Sequence, residues 1–202
     1  MALVKHNNNS ISSITTPGSL AQGKMTLISS QTASGSASIS FTSGIDSTYP
    51  IYRFEFINLH PATDNTNFQF QTNSSGGSGY NETITSTFFN AVHKEDDAAA
   101  SIQYQTPNDQ AQGTAFQDIC LELGNDNDQT CAGFLHLFNP SNTTFVKHFI
   151  SRFIVNQHEN RCVENYSAGY INTTVAIDEI QFKMSSGNID AGTIKLYGIK
   201  GD

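Results

Sequence analysis

The sequence has little charge, few cysteines and no tryptophan. Charged residues make up 14% of its 202 positions, whereas an ordinary globular domain has about 25%. Lys and Arg number 10 against 18 Asp and Glu, which gives a formal net charge of −8. A chain with so few positive charges lacks the basic surface that binds phosphate backbones, so we predict no nucleic-acid partner.

Long hydrophobic runs are also missing. No stretch approaches the roughly 20 apolar residues of a membrane-spanning helix, so we predict no membrane partner. The start, MALVKHNNNS, turns polar after a short apolar run, and we expect no secretory signal peptide there. The three cysteines, Cys120, Cys131 and Cys162, are an odd number in a long chain. This count favours free thiols in a protein made in the cytoplasm over a disulfide framework.

Uncharged polar residues fill the place of the missing charge. The chain contains 22 Ser, 20 Thr and 19 Asn. It also contains 14 Phe and 7 Tyr, which is enough large apolar surface to build the core of one domain. The composition predicts a single domain that is rich in β structure.

Short segments with alternating apolar and polar residues recur along most of the chain. In YRFEFIN, the residues Tyr52, Phe54 and Phe56 fall on one face, which is the pattern of a strand buried on one side. The segment FVKHFISRFIV is apolar on both faces, which predicts a central strand covered on both sides. Ten or more such segments indicate an all-β fold, an antiparallel β-sandwich or jelly roll.

Three stretches depart from this alternation. In AFQDICLELG the apolar residues recur at helical spacing and Gly124 follows them, which predicts one short helix. The glycine-rich run 76–79 predicts the tip of a hairpin. Residues 1–23 show no sustained periodicity, and we interpret them as an extended N-terminal arm that anchors a sandwich domain over residues 24–202.

The sequence offers little catalytic or metal-binding equipment. It contains no nucleophile elbow and no phosphate-binding glycine motif, and we predict no catalytic residues, no cofactor and a protein that is not an enzyme. Asp126 and Asp128 carry oxygens that suit Ca²⁺, but a structural turn explains them better, so we predict no metal site. His136 and His148 lie on adjacent predicted strands and are more simply explained as half-buried strand residues than as metal ligands.

Carbohydrate is a ligand class that the sequence of such a sandwich does not exclude. Sugar sites present an aromatic face with nearby amide and carboxylate groups, and four tyrosines near turns or strand ends could supply that face. The candidate ligand-binding residues are Tyr80, Tyr104, Tyr166 and Tyr170. The absence of tryptophan removes the best stacking platform.

Several phrases along the chain are distinctive: MALVKHNNNSIS, TASGSASISFTSGIDSTY, NLHPATD, GNDNDQ, FNPSNTTFVKHF and AGYINTTVAIDEIQFKMSSGNIDAGTIKLYG. Together they resemble a group of small proteins encoded by tailed bacteriophages of aquatic bacteria, including cyanophages. The resemblance covers nearly the whole chain, and the cysteines and the segment 161–164 lie outside it.

The resemblance implies a virion structural protein that is assembled in the host cytoplasm. On that basis we expect a jelly-roll module on the particle surface, joined to other virion proteins through residues 1–23 and decorating or cementing the capsid. A homo-oligomer is expected, with a trimer suggested by analogy with other phage surface proteins. The alternative is a receptor-binding module, the tip of a tail or head fibre that binds host surface glycan.

Overall fold

The computed structural model describes residues 25–200, and this part of the chain contains thirteen β-strands and no helix. The predicted arm over residues 1–23 lies outside the described residues. The strands are β1 Met25–Ser36, β2 Ile39–Phe41, β3 Ile51–Pro61, β4 Thr66–Ser74, β5 Ile84–Lys94, β6 Ala100–Tyr104, β7 Ala111–Gly113, β8 Gln117–Leu123, β9 Cys131–Phe138, β10 Lys147–Gln157, β11 Arg161–Ile171, β12 Ile177–Met184 and β13 Ile189–Ile199. No described helix is long and apolar enough to cross a membrane.

The strands form two layers that join at β10. The large layer has the order β1-β13-β3-β9-β10-β11-β5, and both β6 and β7 pair with the outer edge of β5. The small layer has the order β8-β4-β12-β2 and meets β10 through the pair Leu123 and Gln157. Every strand pair is antiparallel. The predicted all-β, antiparallel fold is confirmed, and the sheet is nearly closed into a barrel-like sandwich.

Aromatic side chains from both layers meet in the core. The three aromatic residues of YRFEFIN are buried as predicted: Tyr52 and Phe54 are 0% exposed and Phe56 is 2% exposed. Across the interface, the ring of Phe54 lies 5.2 Å from that of Phe182, and the ring of Phe56 lies 5.5 Å from that of Phe68. Burial of these rings holds the two layers together.

The helix predicted over AFQDICLELG is wrong, because this segment forms strand β8. Between the pairs Thr66–Leu123 and Phe68–Cys120, β8 has one residue more than β4. β8 has a second extra residue between the pairs Phe68–Cys120 and Gln69–Asp118. These β-bulges break the period of two and bury consecutive apolar residues, which imitates helical spacing in the sequence.

Strand β10 is central, as predicted, but only one of its faces is covered within the described residues. It pairs with β9 and β11, and at one end with β8. Phe149 and Phe153 are buried in the core, whereas Ile150 and Ile154 on the opposite face are 48% and 46% exposed. The prediction that both faces of β10 are covered is therefore wrong for residues 25–200 of a single chain.

The run 76–79 is not the tip of a hairpin. It connects β4 of the small layer to β5 of the large layer, and these two strands do not pair with each other. Gly76 and Gly79 have φ angles of 77° and 92°, which glycine adopts without steric cost. The glycines therefore allow a crossover between layers.

Candidate functional site

A row of large side chains crosses the outer face of the large layer. The strand register places Phe134 opposite Arg152, Arg152 opposite Tyr166, Tyr166 opposite Phe89, and Phe89 opposite Tyr104. We call these five residues the aromatic row. Because neighbouring strands lie about 4.8 Å apart, the row extends over about 19 Å. It is formed by two groups of consecutive strands, β5–β6 and β9–β11, which the pairing of β5 with β11 brings together.

Contacts within the aromatic row fix several of its side chains against one another. The rings of Phe89 and Tyr166 are stacked, with centroids 4.7 Å apart and planes 5° from parallel. The guanidinium of Arg152 lies 5.3 Å from the centroid of Tyr166 and donates a hydrogen bond to Glu164. Hydrogen bonding to Tyr166, and then to Arg152, lowers the pKa of Glu164. This surface combines aromatic faces with a fixed ion pair.

Aliphatic side chains flank the aromatic row on the same outer face. Ile102 is 79% exposed, and the register places it in line with Ile154 through the pairs on β11 and β5. A shallow depression lies between Phe134, Arg152 and Ile154. A face with this many exposed apolar groups is typical of a surface that contacts a partner.

Three of the four candidate tyrosines lie on this outer face. Tyr104 and Tyr166 belong to the aromatic row, and Tyr170 lies four residues after Tyr166 on β11, opposite His148. Tyr80 is apart from them, in the connection between β4 and β5, where its hydroxyl donates a hydrogen bond of 3.2 Å to Glu179. Burial raises the pKa of Tyr80. The structure thus groups Tyr104, Tyr166 and Tyr170 and separates Tyr80.

A polar cavity lies at one end of the sandwich, between β5 and β6 of the large layer and β8 of the small layer. Carboxamides form much of its wall, and Asn90 accepts a hydrogen bond of 3.0 Å from Gln105. Gln157 donates to Glu122, while Gln157 Oε1 and Arg161 Nε are buried without a hydrogen-bond partner in the described structure. The cavity offers both donors and acceptors to a polar group.

Glu122 lines this cavity, Asp118 is a second carboxylate next to it, and three amides surround Asp118. It accepts hydrogen bonds from Asn108 at 2.7 Å, Gln69 at 2.8 Å and Asn67 at 3.2 Å. Burial raises the pKa of Asp118, and the three donated hydrogen bonds oppose that effect. The charged form of Asp118 is therefore less favourable in the folded chain than in the unfolded chain.

The charge on Asp118 makes a testable contribution to stability. Because its pKa in the folded chain lies above the usual value of 3.8, the folded state binds a proton more readily than the unfolded state. The native protein should therefore gain stability relative to Asp118→Asn as the pH falls from about 7 toward 4. Urea unfolding of both proteins across that range measures the effect. A difference in unfolding free energy that does not change with pH would contradict it.

The loop with Asp126 and Asp128 forms a turn. The Gln129 backbone N–H donates to the Asp126 carbonyl at 2.9 Å, and the Asp126 N–H donates to the Gln129 side chain at 3.3 Å. The carbonyl of Asp126 also lies 3.2 Å from His60 Nε2. Residues 25–200 contain no group of three or more His, Cys, Asp or Glu placed to hold a metal ion. These hydrogen bonds make the loop a structural turn.

The two strand histidines are not directly opposite each other. His136 pairs with Ile150, whereas His148 pairs with Phe138. Arg53 Nη1 lies 2.9 Å from His136 Nε2, and burial, followed by the charge of Arg53, lowers the pKa of His136. This arrangement favours a neutral imidazole that accepts a hydrogen bond from the guanidinium.

The three cysteines are free thiols. Cys120 and Cys131 are buried, and Cys162 is exposed on β11. Burial raises the pKa of the Cys120 thiol well above its usual value. A buried thiol with a raised pKa is a poor nucleophile.

No family model, curated protein or solved structure matches this chain. The geometry of the outer face and the cavity is therefore the structural basis for a functional proposal.

Sequence reasoning did not select Phe89, Phe134 or Arg152 as site residues. The alternating pattern of YNETITSTFF and AGFLHLF contains a signal, because Phe89 and Phe134 occupy positions that alternate with buried ones. A large apolar residue at an outward position of a predicted strand indicates a contact surface. The pattern alone does not show which strands are neighbours.

Proposed function

We propose that the chain is a non-enzymatic structural protein of a bacteriophage virion. In this proposal it is a sandwich module of the jelly-roll kind that is assembled in the host cytoplasm and then decorates or cements the capsid surface. The sequence resemblance to phage proteins supports this role. The free thiols also suit assembly in a reducing compartment.

The exposed outer face of the large layer is the observation that carries the proposal. The sequence of β10 has the pattern of a strand covered on both sides, yet Ile150 and Ile154 are about half exposed, at 48% and 46%. The aromatic row continues the same face across five strands. A neighbouring virion protein would supply the missing cover, and residues 1–23 would anchor the module to the particle.

Particles that lack the protein test this function. We expect them to lose resistance to heat and salt but to adsorb to host cells normally, and purified protein added back should restore resistance. The double variant Ile150→Lys/Ile154→Lys should fail to restore it, because two charges would be buried against the partner. Ser75→Lys/Ser78→Lys is the matched control, since both serines are exposed in the connection between β4 and β5. Full rescue by the isoleucine variant would contradict the proposal.

A receptor-binding module is the second candidate, and the stacked pair Phe89 and Tyr166 favours it. Aromatic rings beside polar groups are able to pack against sugar rings, and Tyr104 and Tyr170 lie on the same outer face as this pair. In this case, particles that lack the protein would remain resistant to heat and would lose adsorption to the host. The two functions therefore give opposite results in the same pair of assays.

A further inference from the structure

Strand β1 forms a long open edge of the large layer. It is 12 residues long and pairs with β13 from Met25–Ile199 to Ser36–Ile189. Within the described residues, no strand pairs with its other side, although the side chain of Gln31 donates a hydrogen bond of 2.8 Å to the Ser40 carbonyl on β2. The remaining edge strands are shorter, since β2 and β7 have three residues each, β6 has five, and β8, which meets β10 through Leu123, has seven. The backbone groups of β1 thus provide the longest unpaired edge of the described structure.

The sequence of β1 lacks the features that normally keep such an edge unpaired. Natural edge strands are protected by being short or by carrying charged residues and proline. The segment MTLISSQTASGS has no charged residue and no proline, although one bulge occurs between Leu27 and Ser29. Met25 and Leu27 are also 44% and 52% exposed. A long, neutral edge of this kind favours pairing with another strand.

We propose that β1 pairs with β1 of a second copy of this chain. The partner must present an open edge of similar length that carries no charged residues, and a second β1 meets both conditions. Antiparallel strands are related by a two-fold axis perpendicular to the sheet, so this contact closes as a dimer. The two large layers become one continuous sheet, and both aromatic rows lie on the same side of it. The proposal does not depend on the virion role.

Neutral side chains are what make this self-pairing possible. Ser30, Thr32 and Ser34 alternate along the exposed part of β1. With the two-fold axis at Gln31, near the middle of β1, Ser30 of one copy faces Thr32 of the other, so charges placed at both positions would meet like charges. Introduced charges therefore test the contact without disturbing the core.

The mass of the full-length protein in solution tests the pairing. At about 100 μM, where an interface with a micromolar dissociation constant is occupied, sedimentation should give twice the chain mass of 22.0 kDa. Ser30→Lys/Thr32→Lys should sediment as a monomer. The matched control, Ser101→Lys/Gln103→Lys on the short edge strand β6, should remain a dimer. A monomeric or trimeric native protein, or a dimeric β1 variant, would overturn the proposal.

A mixing experiment shows which segment occupies the edge. Ser30→Glu/Thr32→Glu should also be a monomer alone, and it should form a heterodimer with Ser30→Lys/Thr32→Lys because opposite charges now face each other. Circular dichroism of each variant checks that the sheet is intact. If the mixture stays monomeric, the edge binds another segment, such as residues 1–24 of a neighbour, and self-pairing of β1 is refuted.

Discussion

Phe182→Ala is expected to destabilise the fold by about 3–5 kcal/mol, the cost typical of removing a buried phenylalanine ring. Phe182 on β12 is fully buried. Its ring contacts four others, with centroid distances of 5.0 Å to Phe56, 5.2 Å to Phe54, 5.9 Å to Phe68 and 6.3 Å to Phe41. Truncation removes a side chain at the centre of the contact between the small layer and the large one and leaves a cavity between them.

Denaturant unfolding of the native protein and the variant measures this loss. Phe145→Ala is the matched control, because it makes the same chemical change at a residue that is 68% exposed. We expect that control to change the unfolding free energy by about 0.5 kcal/mol or less. Equal effects of the two substitutions would show that the aromatic cluster does not carry the stability assigned to it.

Gly133→Ala is expected to be nearly as disruptive, although it adds a single methyl group. Gly133 on β9 lies between Phe56 on β3 and Phe153 on β10, and the two rings meet over it at a centroid distance of 4.9 Å. A Cβ atom there would lie 2.4 Å from the Arg152 carbonyl oxygen and 2.7 Å from Phe153 Cγ. Overpacking costs about 1–3 kcal/mol, and a clash with backbone in a central strand places this variant at the upper end.

Thermal unfolding of Gly133→Ala should therefore show a clear fall in midpoint. Gly35→Ala on the edge strand β1 is the comparison, because a Cβ at Gly35 has no atom within 4 Å. Its φ of 63° is unfavourable for alanine and should cost about 1–2 kcal/mol. If Gly133→Ala proves less destabilising than Gly35→Ala, steric contact between Phe56 and Phe153 does not require the glycine.

The sequence predicts the inward and outward faces of most strands, because burial on one side imposes a period of two. Tyr52, Phe54 and Phe56 are buried as this rule requires. The rule fails in β8, where two bulges shift the alternation. Bulges depend on the partner strand, so the sequence of β8 alone does not reveal them.

Connections are harder to predict than strands. The glycines at 76–79 indicate a turn, and a turn is what the structure has, but turn chemistry does not specify which layer the next strand joins. β4 and β5 end up in different layers because each finds its partners elsewhere in the chain. The pairing of β5 with β11 is set by contacts between segments about 80 residues apart, which no local pattern contains.

The candidate site also depends partly on local sequence and partly on pairing between distant strands. Aromatic side chains near turns or strand ends are visible in the sequence, and Tyr104 and Tyr166 are predicted as candidates for that reason. Their neighbour Phe89, which stacks on Tyr166, becomes part of the site only through the register of β5 with β11. Tyr80 is a candidate for the same reason, but it lies apart from the row, where its hydroxyl donates a hydrogen bond to Glu179 on β12.

The pairing of β1 with β13 also joins segments that are far apart in the sequence. Met25 pairs with Ile199, and β3 pairs with β13 as well. Among the described strands, β1 leaves the ribosome first and β13 last, so β1 must wait for β13 before it gains its partner. Folds dominated by such distant pairings form slowly, over milliseconds to seconds. During synthesis the neutral strand β1 is open on both sides, which makes this period the one in which nascent chains are most exposed to aggregation.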